Sequence, residues 1–159
     1  MSVGDTPSLA DIEAVSAQLG RPARDIVAIT ARCVCTRPLV VATSPRLEDG
    51  TPFPTLYYLT QTAATQAASR LEAQGKMVEY QERLAEDDEA REAYEAAHES
   101  FLATREALGH VEEIEGISAG GMPTRVKCLH SLMAHSLSVG PGVNPVGDWA
   151  LAETTWSKD

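Results

Sequence analysis

The stretch "DIVAITARCVCTRPLVVATSP", Asp25–Pro45, decides the fold. Two runs dense in β-branched and small apolar residues, "DIVAITARCVC" and "PLVVATSP", are separated by "TR", and "PFPTLYYLT" follows at Pro52–Thr60 after the turn-rich link "SPRLEDGTPFP". Such runs, bounded by Pro, Asp and Gly, predict strands. The three strands read as an antiparallel meander with Asp49-Gly50 as the reversal. The sheet is thus small and sits in the N-terminal half.

Outward from it the texture is helical. Ser8 with Asp11 resembles a capping box, and Leu9, Ile12, Val15 and Leu19 recur at helical spacing until Gly20 and Pro22. After Thr60 three stripes follow: Ala64, Ala67, Ala68 and Leu71; Met77, Tyr80 and Leu84; and Tyr94, Ala97, Phe101 and Leu108. The run "EDDE", Glu86–Glu89, marks a turn near Asp87 on a solvated surface, or else a docking face for a basic partner. "HVEEIEGISAGGMP" reads as loop, and "PTRVKCLHSLMAHSLSVGPG" as a helix opened by Pro123 and stopped by Gly140 and Pro141. A short helix capped by Asp148 ends the chain. The expectation is a single α+β domain over 1–159: an N-terminal helix in 1–24, strands in 25–60, helices in 61–109, a loop and site helix in 110–140, and a C-terminal loop and tail in 141–159.

Length and composition fit this. At 159 residues with 43% hydrophobic content the chain can bury a core without a structural metal, and with only 5% aromatics alanine must do much of the packing. A formal net charge of -10 excludes general affinity for nucleic acid or anionic membrane. No run is long enough to span a bilayer and the N-terminus lacks a signal-peptide pattern, so the expected compartment is the cytoplasm. Cys33, Cys35 and Cys128 are an odd number, two of them one residue apart, which predicts reduced thiols.

"GGMPTRVKCLHSLMAH", Gly120–His135, concentrates the chemistry. At about 100° per residue, a helix from Pro123 puts Val126, Leu129, Met133 and Leu137 on a core stripe with His130 at its edge. Thr124, Cys128, Ser131 and His135 then share a polar seam on the other side. Cys128 and His135 would stand about 10 Å apart along the axis, too far for one ion. Gly120 and Gly121 leading into a helix start, with Arg125 and Lys127 in its first turn, point to an anion site that also uses Thr124, Ser131 and His135. A zinc shell of Cys33, Cys35, Cys128 and His98 is the competing reading, since both strand cysteines point to one face. A third is a Cys128 nucleophile near the helix start with His98 as its base. Neither a P-loop nor a dinucleotide spacing is present.

Four blocks carry a resemblance: "RCVCTRPLVVATSPRLEDGTPFPTLYYLT", "AYEAAHESF", "GGMPTRVKCLHSLMAHSL" and "GPGVNPVGD". Together, in this order, they resemble the actinobacterial domain-of-unknown-function family numbered five hundred and one, over Ile26 to Leu151. The family carries no established activity. Its members often have Cys or His where this chain has Gln61, a departure that weighs against a metal set using that position. Its genes commonly lie beside those of a septum-formation initiator and an exopolyphosphatase, which implies a division-associated partner or a phosphate ligand. The functional expectation is a non-catalytic cytoplasmic module that binds a small anion or an acidic partner segment. The alternative is a metal-binding protein, with zinc as the cofactor, or a Cys-dependent enzyme, centred on Cys128, Cys33 and His98.

Overall fold

The structure is a computed structural model that describes residues 3–158. Helix α1, Leu9–Leu19, starts at the predicted box: the Ser8 hydroxyl accepts from the Asp11 amide at 3.1 Å and the Asp11 carboxylate accepts from the Ser8 amide at 3.0 Å. Asp11 also takes both terminal nitrogens of Arg32, at 2.8 and 2.9 Å, which ties α1 to the first strand. That bidentate bond from Arg32, helped by the Ser8 amide, holds the Asp11 carboxyl far below the ordinary range.

Strands β1 (Ile26–Arg32), β2 (Pro38–Thr43) and β3 (Tyr57–Leu59) form an antiparallel sheet in the order β1-β2-β3. Ile29 lies opposite Val41, and Val41 opposite Tyr58. All six residues of β2 are buried, which is why its sequence is a continuous apolar run. The Asp49-Gly50 reversal forms as predicted, with the Gly50 amide donating to Leu47 and the Leu47 amide to Thr51.

Between β1 and β2 the reduced-thiol expectation is overturned. The chain leaves the strand at Cys33 and turns, with the Thr36 amide donating to the Cys33 carbonyl and Thr36 at a left-handed φ of 71°. The turn brings the Cys33 and Cys35 Cα atoms to 5.1 Å, and the two form a disulfide. Residues i and i+2 of a regular strand would stand about 6.6 Å apart.

Helices α2 (Thr62–Ala73), α3 (Lys76–Glu86) and α4 (Asp88–Leu108) occupy the predicted helical stretch. Gly75 separates the first two in a left-handed conformation, and Asp87 caps the third by accepting from the Ala90 amide. Their predicted stripes are buried from Ala64 to Phe101, although Met77 is only partly covered. Leu108, at the end of its helix, stays 37% exposed and leaves the stripe.

Helix α5, Leu129–Val139, lies at the centre, packed against β3, α2 and the last helix, α6 (Pro145–Glu153). Leu129, Leu132, Met133 and Ala134 are fully buried, so most of the helix circumference faces core. The predicted start at Pro123 is a correction: residues 120–128 form an irregular loop containing a cis Met122-Pro123 peptide. That loop closes on itself, because Gly121 accepts from the Arg125 amide at 2.8 Å and Gly120 from the Lys127 amide at 2.7 Å. The cap of α6 is also corrected. Asn144 accepts from the Gly147 amide, while Asp148 sits in the first turn and accepts from Gly142. Among the described residues no helix is long and apolar enough to cross a membrane.

Candidate functional site

Moving the start of α5 to Leu129 changes which side chains meet. Cys128 becomes the N-cap residue in extended conformation, so its thiol sits over the first turn beside His130 and Ser131. The last turns of α2 face this helix start and present Ser69 and Glu72, one turn apart on the same side. Glu72 Oε2 accepts from the Leu129 amide at 2.9 Å and lies 3.1 Å from His130 Nδ1. His130 Nε2 stands 3.2 Å from the Ser69 hydroxyl, and the Ser131 hydroxyl donates to Cys128 Sγ at 3.6 Å.

One donor atom from each of Glu72, Cys128 and His130 lies within 4.8 Å of the other two. The three are partly buried, and the His130 and Glu72 side chains remain 32% and 24% exposed, which leaves an approach from solvent. Burial pushes the Cys128 thiol up, but His130 and the Ser131 amide and hydroxyl outweigh it, so the thiol lies below its ordinary value. The same contact with Cys128, supported by the Glu72 charge, overcomes desolvation and raises His130 to about 9. A polarised thiol, an imidazole and a carboxylate therefore share one small volume.

The polar seam predicted for Cys128 and His135 does not form. His135 is 1% exposed, stacked on Tyr57 at 5.3 Å between ring centres and met edge-on by Phe101. Its Nδ1 accepts from the Asn144 amide nitrogen at 3.1 Å, which places the ring proton on Nε2, and that atom is buried without a partner. Burial alone lowers its pKa to about 4, so the ring is neutral. His98 is likewise buried, its Nδ1 2.7 Å from the Ser118 hydroxyl.

The other predicted residues scatter. Cys33 and Cys35 are bonded to each other, and the set of Cys33, Cys35, Cys128 and His98 is not brought together among the described residues. Thr124, Arg125 and Lys127 are exposed, but the segment's amides are already used: Arg125 and Lys127 donate to the glycine pair and Val126 to Gln81 Oε1. The Thr124 carbonyl takes Gln81 Nε2 and the Arg125 carbonyl takes the Tyr94 hydroxyl. Gly120 is needed because a Cβ there would meet Leu132, so the pair serves loop packing. Sequence reasoning placed His130 at the core edge and overlooked Glu72. The Cys128-x-His130 spacing at a helix start was a legible signal; a partner 58 residues away was not.

The geometry defines a class: a mixed α+β protein with a thiol, an imidazole and a carboxylate gathered where one helix ends and another begins. The family model for proteins of unknown function DUF501 matches residues 29–152, most of the chain, and the protein belongs to that family. No curated protein and no solved structure matches it.

Proposed function

We propose that the protein binds one zinc ion through Cys128 Sγ, His130 Nδ1 and a Glu72 carboxylate oxygen. What carries the reading is the approach of those three donor atoms to within 4.8 Å of one another from two separate helices. Donors around a tetrahedral zinc stand roughly 3.3–3.8 Å apart, given bond lengths of about 2.0–2.3 Å, so small side-chain rotations close the set. Thiolate with imidazole and carboxylate suits zinc better than magnesium or calcium, which prefer oxygen. The Ser69 hydroxyl opposite Nε2 supplies the outer bond that orients a metal-binding imidazole, leaving Nδ1 for the ion. Three protein ligands leave a fourth position for water or a small ligand.

The test is zinc stoichiometry on untagged full-length protein, stripped with chelator and reloaded. One zinc per chain is expected, lost in Cys128→Ser and His130→Ala. Substoichiometric zinc, or the same zinc content in those variants, sinks the proposal.

A nucleophilic thiol is the second reading, favoured by the lowered Cys128 beside a raised His130. It takes precedence if zinc does not bind and His130→Ala slows alkylation of Cys128 by iodoacetamide at neutral pH. The anion reading at Gly120–Lys127 draws less support, since the amides it needs are bonded within the loop.

A further inference from the structure

The face of the sheet turned away from α5 is covered by α1 only in part. Val15, Ile29 and Val41 are buried there, but beyond the C-terminal end of α1 a cavity of about 480 Å³ opens. Its floor is apolar, built by Leu19, Ile26, Val41, Phe53 and Tyr58, with the Phe53 and Tyr58 rings tilted at 6.4 Å between centres. That volume suits a small organic molecule.

The rim carries Arg21, Arg24, Asp25, Glu48 and Asp49. Two of these acids are committed. Asp25, held at a left-handed φ of 60°, accepts from the Glu48 amide at 2.8 Å, and Asp49 accepts from the Thr51 amide at 2.9 Å. Neither Arg21 nor Arg24 makes a side-chain hydrogen bond or ion pair among the described residues, and the Arg24 charge helps to lower the Asp49 carboxyl. Thr43 and Tyr58 also line the cavity, and their hydroxyls make no hydrogen bond among the described residues. The side-chain charges left over at the rim are thus the two guanidiniums and the Glu48 carboxylate, set above an aromatic floor.

We propose that this cavity binds a small organic anion, with an aromatic or alicyclic body against Phe53, Tyr58 and Val41 and a carboxylate or phosphate monoester on Arg21 and Arg24. The charge supplies orientation and the floor supplies most of the affinity. The site is independent of the zinc reading, being built from other elements.

The experiment is NMR titration of the isotope-labelled full chain with phenylacetate and phenyl phosphate, followed at the amides of Ile26, Val41, Thr43 and Tyr58. Both phenyl anions should give saturable shifts there, whereas phenethylammonium and inorganic phosphate should not. An Arg21→Ala, Arg24→Ala double variant should bind about tenfold more weakly or worse, the scale of losing hydrogen bonds to a charged group. Both arginines are exposed, so its melting temperature should be unchanged. Absence of saturable shifts with either phenyl anion, equal shifts with phenethylammonium, or full affinity in the double variant overturns the proposal.

Discussion

His130 and His135 belong to one helix, five residues apart, and differ in nearly every physical respect. His130 sits in the first turn of α5 between a thiol and a carboxylate, which favour its protonated form. His135 sits one and a half turns further in, among aromatic rings, where the charged form has nothing to replace its water. The side chains are chemically identical. What differs is that the first turn of a helix meets another helix end and solvent, whereas the middle of this one meets core on most sides.

Truncating the inner ring should break the comparison hardest. His135→Ala empties a packed aromatic site and removes one of the Asn144 amide's hydrogen-bond partners, and a loss of about 4 kcal/mol is expected from a urea unfolding midpoint. Little change in that midpoint would mean the ring is not the packing element described. Acid comes next. An unfolded histidine takes its proton near 6.5 but His135 does so only near 4 in the folded chain. Between those values unfolding takes up a proton, so stability falls as pH falls, by about 1.4 kcal/mol per unit and about 3 kcal/mol in all.

His130 carries the opposite sign. Its raised pKa adds stability to the zinc-free protein that is complete below about 6.5 and lost as pH rises through about 9. Stability curves of the two alanine variants separate these contributions: the acid slope should flatten only in His135→Ala and the alkaline slope only in His130→Ala.

At the helix start, Cys128→Ser should weaken zinc by about a hundredfold or more, read by competition with a chelating dye, since it removes a ligand itself rather than an outer-shell partner. Ser69→Ala should cost less, about tenfold, because it removes only the bond that orients the imidazole. An equal loss in both variants would show that Ser69 does more than position the ring.

Much of this architecture could be read from residue order. The helices from α1 to α4 are half-buried and write that as a stripe, while the strands show as β-branched runs bounded by turn residues. The central helix lacks that contrast. Since α5 is buried on most of its circumference, its sequence does not announce a face, and a helix drawn from Pro123 takes in Thr124 and Cys128, which precede its first turn. Hence the expected seam joined His135 to Cys128, whereas His135 stands among aromatic rings in the core and Cys128 caps the helix.

Local sequence is enough for most of the elements and for their order, because periodicity and turn chemistry act over a few residues. It also placed Cys128 and His130 two residues apart. Tertiary structure alone decided that Cys33 and Cys35 meet each other in a turn, that Glu72 meets the start of α5, and that the outer face of the sheet leaves a cavity under two arginines. Each of these depends on which helix end or loop packs against which, and so on distances between residues that lie far apart along the chain or on a local departure from strand geometry.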